Sequence, residues 1–458
     1  MKDLQALPSD LLTEILPDHL AGAPETLRAA TGVSRILFAP GPGDVFGTWR
    51  HWTDGRDDPS IPSVGYSHQI YELANRLGAQ LTVLSEHPLP PDAPTAKGAP
   101  VRFVHAPNVA HHGARYHLGR VLNALGLVRR AAMGRADVII CQKHLDHFWP
   151  LAFARLLRIR VVVSLHNSLW PVHRAPSRRD RILGALNGRA FRFLGRPVIC
   201  VSGAVRDQVV QVTGRENTAC VQIPQYPGTA QSKWRPRPAD RPARHLLYVG
   251  RIEDNKGIFT LLDAFKKLAA VHPDATLRYL GDGGHLAALR AAIAAAGLGD
   301  RVTAPGQATG AEVFSAMAQT DLLVCPTTTR FAEGLAKTPI EAALCGVPSV
   351  LSTTVPCVDL LGDAARVFRA DDVADLHRVL DDLLRHPETL TEMNAATRTR
   401  RAIFYDGRRS LAAQLYTGLT HGLAHGRAPA RPGAPRAGTD AHPSGRGACD
   451  PRLISARP

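Results

Sequence analysis

The chain repeats one pattern twice: a short apolar run followed by a segment of helical period. In the first half the apolar runs are RILFAP, QLTVLS, VRFVH, ADVIICQ, RVVVSLH and PVICVS. The second half restarts with HLLYVG and continues through ATLRYLG, RVTA, DLLVCPT and PSVLS. Strands that alternate with amphipathic helices predict βαβ units, in which helices cover both faces of a parallel sheet. The sequence therefore predicts an α/β protein with two Rossmann-like doubly wound domains.

A proline-rich stretch without periodicity, PQYPGTAQSKWRPRPADRPA, separates the two halves and is typical of a linker. The 458 residues also exceed what one core normally serves, so two domains of roughly 150–200 residues are expected. The tail after Leu423 has almost no large apolar residue, and we expect it to be disordered. The predicted division is an N-terminal extension at 1–33, a first domain at 34–223, a linker at 224–243, a second domain at 244–395, C-terminal helices at 396–423 and a basic tail at 424–458.

The net charge of +15 suggests an anionic partner: phosphate, nucleic acid or an acidic membrane surface. The seven cysteines include no C-x-x-C pair, and several lie in apolar runs, so we expect reduced, buried thiols and no zinc site. The N-terminus lacks the apolar core of a signal peptide, and no run approaches the roughly 18 apolar residues of a membrane span. These features predict a cytoplasmic protein.

The stretch EGLAKTPIE at residues 333–341 places two carboxylates at the ends of one strand-to-helix turn. Glu333 follows the strand DLLVCPT and precedes a glycine, a position typical of binding residues. Thr338 is predicted to be an N-cap with Pro339 at the first helical position, so that Glu341 completes a capping box. Glu341 is therefore interpreted either as a helix cap or as a binding residue.

The stretch GRIEDNKG at residues 250–257 follows the strand HLLYV. Arg251 offers a bidentate fork, Lys256 a point charge, and the helix that begins near Gly257 its free N–H groups. These three features can converge on one diphosphate. A solvated turn with ordinary surface charges is the alternative interpretation.

A glycine-rich stretch, GDGGHLAAL at 281–289, also follows a strand and opens a helix. Gly281 and Gly283 would let the backbone approach a nucleotide, although glycine-rich turns between strands and helices are common.

Taken in order, GRIEDNKG, GDGGHLAALR, DRVTAPGQ, AQTDLLVCPT and EGLAKTPIEAALCGVPSV resemble the donor-binding half of a family 4 retaining glycosyltransferase. The resemblance covers residues 245–370 well and residues 33–215 loosely. It implies the GT-B fold, with two Rossmann-like domains facing across a cleft. It also implies a metal-independent enzyme that moves a hexosyl unit from an NDP-sugar to an acceptor hydroxyl in bacterial polysaccharide or glycolipid assembly.

The resemblance assigns roles to individual positions. Arg251 and Lys256 match the pair that neutralises the diphosphate, Glu333 matches the acid that holds the donor sugar, and Glu341 matches the acid that binds the ribose. The family usually reads E-G-F-G-L-P here, so Lys337 adds a charge near a phosphate or a sugar substituent, and the donor stays open. The implied donor-binding residues are Arg251, Lys256, Glu333, Gly334, Leu335, Ala336, Glu341, Gly281 and Gly283.

In the first half, His166 in VVVSLHNS matches the family's cleft-lining histidine, with a histidine satisfied in a loop as the alternative. The implied catalytic set is His166, Glu333, Arg251 and Lys256. Gly65 is what remains of the family's Gly-Gly loop and is the weaker, acceptor-side candidate. The sequence contains no D-x-D triplet, so neither a metal nor any other cofactor is expected besides the NDP-sugar substrate.

The expected partners are a nucleotide sugar and a carbohydrate or lipid-linked acceptor. The basic segment RRDRILGALNGRAFRFLGR at 178–196 has apolar positions at helical spacing. It is interpreted either as a packed helix with a solvated face or as a helix resting on anionic lipid at the inner face of the plasma membrane. Two other functions stay open. One is a sugar-nucleotide 2-epimerase of the same architecture, and the other is a basic nucleic-acid-binding protein, although no recognised module supports nucleic-acid binding.

Overall fold

The computed structural model describes residues 24–56, 58, 61–107, 114–228, 233–238 and 241–421. The predicted basic tail and the first 23 residues of the predicted extension lie outside the described residues. Within the described part of the chain, no helix is both long and apolar enough to span a bilayer.

The first lobe is built on a seven-stranded parallel sheet in the order β3-β2-β1-β4-β5-β6-β7. Its strands are β1 (Arg35–Ala39), β2 (Gln80–Ser85), β3 (Val101–His105), β4 (Val138–Cys141), β5 (Arg160–Leu165), β6 (Val198–Cys200) and β7 (Ala219–Val221). Its helices are α1 (Pro24–Thr31), α2 (Val45–Thr53), α3 (Tyr66–Arg76), α4 (Ala114–Met133), α5 (Phe153–Leu156), α6 (Arg178–Leu194) and α7 (Gly203–Thr213).

The second lobe is built on a six-stranded parallel sheet in the order β10-β9-β8-β11-β12-β13. Its strands are β8 (His245–Val249), β9 (Thr276–Leu280), β10 (Val302–Gly306), β11 (Leu322–Cys325), β12 (Ser349–Ser352) and β13 (Ala365–Phe368). Its helices are α8 (Ile258–Val271), α9 (Leu286–Ala295), α10 (Gly310–Ala318), α11 (Thr338–Cys345), α12 (Val358–Leu361), α13 (Val373–Arg385) and α14 (Pro387–Arg400).

Both sheets are covered by helices on both faces, as the apolar strand runs predict. Successive residues of β1 show the arrangement: Ile36 and Phe38 belong to the core on one face, and Leu37 and Ala39 belong to the core on the other. The strand order reverses beside β1 in the first sheet and beside β8 in the second, and ligands of such sheets bind at the carboxyl ends of the strands near this reversal. The predicted two-domain α/β fold is confirmed, whereas the individual domain boundaries stay a prediction.

The C-terminal helix α15 (Leu411–His421) returns to the first lobe. Its side chains Leu411, Leu415 and Leu419 are fully buried in the same core as Val162 of β5. The last helix among the described residues therefore completes the first lobe, an assignment that the sequence did not indicate.

Candidate active site

The loop after β8 is pressed against the end of β11. Gly257 has φ +75°, and a Cβ atom there would lie 1.9 Å from the carbonyl oxygen of Pro326, so only glycine fits. A single 3-10 turn, Asp254–Lys256, precedes this glycine, and α8 follows it. This close contact places Lys256 beside the loop that follows β11, which contains Glu333.

Lys256 and Glu333 form an ion pair, with 2.6 Å between Nζ and Oε2, and their side chains are only 15% and 12% exposed. The ring of Phe331 lies beside both cations of the GRIEDNKG loop, 3.6 Å from Lys256 Nζ and 5.5 Å from Arg251 Cζ. The structure thus brings together Arg251, Lys256 and Glu333, whereas their binding of a diphosphate and a sugar stays a prediction. Phe331 was missed, and the available signal was an aromatic residue two positions before Glu333.

The glycine-rich turn after β9 packs against the turn after β8. A Cβ atom on Gly281 would lie 1.9 Å from the carbonyl oxygen of Gly250, and one on Gly283 would lie 2.5 Å from that of Ile252. Hydrogen bonds from Gly284 and His285 to Glu253 connect the same two turns and lower the pKa of the Glu253 carboxyl. Close packing between the turns therefore accounts for both glycines, and their approach to a nucleotide stays a prediction.

Glu341 is buried, with 5% of its surface exposed, on the first turn of α11. The predicted capping box is wrong: α11 begins at Thr338, its N-cap is Lys337, and no side chain caps the helix. The Glu341 carboxylate turns inward, where it accepts a hydrogen bond of 3.4 Å from the hydroxyl of Tyr226. Burial raises the pKa of Glu341, while Lys337 and Tyr226 oppose that rise.

Residues 334–336 form one of the contacts between the second lobe and the first. A Cβ atom on Gly334 would lie 2.1 Å from the carbonyl oxygen of His166. Leu335 packs against the first-lobe core that contains Leu165, and Ala336 is buried in the second lobe. Residues 333–337, which we call the donor loop after the role that the sequence predicts for them, therefore lie directly against the loop that carries His166.

His166 follows β5 and is held between two side chains of its own lobe. Its Nε2 atom lies 3.1 Å from Ser164 Oγ, and its ring meets the ring of Tyr66 edge-on at 4.5 Å. Burial and the nearby charge of Lys337 lower the pKa of His166 to about 3, so the imidazole is neutral near pH 7. It can accept or donate a hydrogen bond there, but it carries no charge.

Gly65 is the N-cap of α3 and directly precedes Tyr66. A Cβ atom at Gly65 would meet its nearest neighbour at 3.6 Å, an ordinary contact, so packing does not require glycine. Its acceptor-side role stays a prediction.

The start of α4 and the loop after β4 meet through histidine side chains. His117 of α4 lies 2.9 Å from His147, and Tyr116 donates a hydrogen bond of 2.5 Å to Asp146. His144 also pairs with Asp146, whose pKa is lowered by these partners. This network fixes the loop after β4 to the start of α4, at the same edge of the first sheet as His166.

Among the described residues, no group of three or more His, Cys, Asp or Glu side chains is arranged to hold a metal ion.

Residues 65–225 match the family model described as Glycosyltransferase Family 4, and residues 232–400 match the model of the glycosyl transferases group 1. The chain belongs to the GT-B glycosyltransferases of the family 4 type. These two matches fall on the first and the second lobe, so both halves of this glycosyltransferase carry the family pattern.

Two curated relatives carry 2-deoxystreptamine in their names. The 2-deoxystreptamine glucosyltransferase of Streptomyces kanamyceticus is 27% identical over 57% of this glycosyltransferase and 71% of the relative. The 2-deoxystreptamine N-acetyl-D-glucosaminyltransferase of Streptomyces fradiae is 28% identical over 57% and 68%. A crystal structure of Anabaena HepE in complex with UDP matches in fold, with a TM-score of 0.55 at 17% identity over 86% of this chain and 98% of HepE.

Proposed function

We propose that this glycosyltransferase moves a hexosyl unit from an NDP-sugar to an acceptor hydroxyl with retention of the anomeric configuration and without a metal. The observation that carries the proposal is the convergence of Arg251, Lys256 and Glu333 at the carboxyl edge of the second sheet. Arg251 and Lys256 bind the diphosphate, Glu333 binds the sugar, and Glu341 binds the ribose.

Departure of the nucleoside diphosphate builds negative charge on oxygen, and fixed cations that meet this charge lower the barrier. Charge-assisted hydrogen bonds contribute roughly 1.5–3 kcal/mol each. Two or three of them supply only part of the roughly 8–23 kcal/mol of a typical enzyme. The remainder is attributed to positioning between the lobes, where the Gly334 loop and the neutral His166 face one another.

The donor is proposed to be a UDP-hexose, either UDP-glucose or UDP-N-acetylglucosamine. The two curated relatives are named for the transfer of these two sugars, and the fold neighbour HepE was solved with UDP and with UDP-glucose. The acceptor is proposed to bind at the carboxyl edge of the first sheet. It belongs to polysaccharide or glycolipid assembly, and 2-deoxystreptamine, which appears in both relatives' names, is the alternative acceptor class.

A thermal-shift screen of UDP-, GDP- and ADP-sugars tests the donor. A ligand at 100 times its Kd stabilises the folded chain by about 2.7 kcal/mol. At roughly 2–4 °C per kcal/mol, the expected rise in Tm is about 5–10 °C with a UDP-hexose. The variant with both Lys256→Ala and Glu333→Ala is the matched control and should lose most of this rise.

If no sugar nucleotide raises Tm, the proposed function is wrong. If UDP-N-acetylglucosamine is converted to its 2-epimer without an acceptor, the protein is an epimerase.

Helix α6 combines a packed face with an exposed one. Gly184 and Gly188 pack tightly against Val212 of α7, whereas Ile182, Leu186 and Phe193 are 67%, 41% and 45% exposed along the other face. Four exposed arginines accompany this apolar stripe: Arg178, Arg179, Arg181 and Arg189. Apolar side chains flanked by cations favour an anionic lipid surface, so we propose that this face of the protein rests on the inner leaflet of the membrane.

Co-sedimentation with vesicles of phosphatidylglycerol or phosphatidylcholine tests the membrane proposal. Serine at Ile182, Leu186 and Phe193 together is expected to lower the fraction bound to the anionic vesicles at least about 10-fold, because each buried apolar side chain is worth roughly 1.5–3 kcal/mol. Serine at Val271 and Val367, exposed apolar residues of the second lobe, is the matched control and should change nothing. Equal binding to both kinds of vesicle would contradict the proposal.

A further inference from the structure

Lys337 is a charged side chain at the contact between the two lobes. It immediately precedes α11 of the second lobe, yet its ammonium donates a hydrogen bond of 3.0 Å to the hydroxyl of Ser63 in the first lobe. The same ammonium lies 4.6 Å from the centre of the Tyr66 ring, at the start of α3. Ser63 is buried, with 4% of its surface exposed, so this contact is shielded from water.

The partners of Lys337 in the first lobe are themselves held in place. The hydroxyl of Tyr66 accepts a hydrogen bond of 3.1 Å from the Gln222 side chain, and its ring packs against His166. Lys337 and His166 therefore contact the same aromatic ring. The charge of Lys337 acts on two neighbouring groups. Together with burial it lowers the pKa of His166, and it partly offsets the rise that burial causes in the pKa of Glu341, one turn along α11.

Lys337 also ends the loop that begins at Glu333. Gly334 within this loop lies against the His166 carbonyl, and Glu333 at its start pairs with Lys256. The hydrogen bond from Lys337 to Ser63 holds the C-terminal end of this short loop to the first lobe. It therefore limits how far Glu333 and Gly334 can move away from that lobe. The hydrogen bond and the contact with the Tyr66 ring act in the same direction, because both draw the ammonium toward the start of α3.

We propose that Lys337 is a positioning residue that fixes the donor loop to the first lobe, so that Glu333 and His166 face the same sugar. This role rests on the proposed function, since it concerns the sugar that the loop holds. Its chemistry is a charge-assisted hydrogen bond supported by a cation–π contact. Lys337 itself does not touch the reacting atoms.

The first test is steady-state kinetics with Lys337→Met, which keeps an unbranched side chain only one atom shorter but removes its charge. We expect kcat to fall about 10- to 100-fold, the range of a lost charge-assisted hydrogen bond, with a smaller change in the KM for the donor. Lys337→Arg should recover most of this loss because it restores a donor to Ser63. The control is Lys267→Met, which removes an exposed lysine of α8 and should leave kcat unchanged. Near-normal kcat in Lys337→Met would overturn the proposal.

A double-mutant cycle with Ser63→Ala tests the contact itself. If Lys337 acts through Ser63, the double variant should lose little more activity than Lys337→Met alone, whereas additive losses would show that the two residues act separately.

Failure of the positioning role of Lys337 can be told apart from failure of the proposed function. If the wild-type protein transfers sugar and Lys256→Ala does not, the function stands, and an unaffected Lys337→Met overturns only the positioning role. If the wild-type protein transfers no sugar and no sugar nucleotide raises its Tm, the function and the role derived from it fail together.

Discussion

Alanine at Lys256 or at Glu333 is expected to lower turnover by about 10²–10³-fold, the cost typical of losing one preorganised group that meets transition-state charge. Lys256 is the cation nearest Glu333, and both side chains are largely shielded from solvent, so their charges act with little screening. Single-turnover kinetics with a UDP-hexose and a competent acceptor measures the effect on the chemical step.

The same ion pair has a purely structural explanation, in which Lys256 and Glu333 only stabilise the loop. Removing one partner would then leave the other charge unpaired, and removing both would restore stability and activity together. A role in transfer predicts instead that the double variant is as inactive as either single variant, even where its Tm recovers. Activity that returns in the double variant would therefore contradict the proposed roles.

Lys266→Ala provides a matched control for this experiment. Lys266 pairs with Asp263 at 2.8 Å on α8 of the same lobe, a distance close to that of the Lys256–Glu333 pair, but both side chains are about half exposed. Exposed pairs contribute roughly 0–1 kcal/mol, so the variant should keep its fold and its turnover. A comparable loss of turnover in Lys266→Ala would show that any disturbance of this lobe inactivates the enzyme.

The alternation of buried strands and amphipathic helices was sufficient to predict a sheet in each lobe, because each strand needs cover on two faces. The edge strands β7 and β13 were missed, since neither lies in one of the predicted apolar runs. The ion pair between Lys256 and Glu333 was not predicted, because it depends on β8 and β11 being neighbours in the sheet, and the strand order was not predicted. The return of α15 to the first lobe was not predictable, because its apolar positions at Leu411, Leu415 and Leu419 fit any exposed sheet face equally well.

Predictions from short motifs were wrong or incomplete where residues far away in the sequence contact the motif. The T-P-I-E sequence satisfies a capping box, but the fully buried Tyr226 lies beside Glu341 and draws its carboxylate inward. For Gly281 and Gly283, whose approach to a nucleotide stays a prediction, the backbone of the neighbouring turn separately excludes any side chain. In both cases the deciding contact comes from another part of the chain, which a motif of a few residues does not contain.

Gly334→Ala is expected to lower kcat/KM by about 10²-fold without removing a functional group, because a displacement of about 1 Å at a reacting centre has this cost. A Cβ atom there would lie 2.1 Å from the His166 carbonyl, so either the donor loop or the first lobe must shift. The measurement is kcat/KM together with the rise in Tm that free UDP produces. The contacts proposed for UDP all lie in the second lobe, so that rise should be retained while transfer is lost.

The matched control for Gly334→Ala is Gly299→Ala, also in the second lobe, where a Cβ atom meets no heavy atom within 4 Å. This variant should transfer sugar at the wild-type rate. If Gly334→Ala also transfers sugar normally, the close approach of the two loops is not needed for the reaction. Positioning between the lobes would then not explain the part of the barrier lowering that the charge-assisted hydrogen bonds do not supply. If instead it loses both transfer and the response to UDP, the residue acts within the nucleotide site rather than between the lobes.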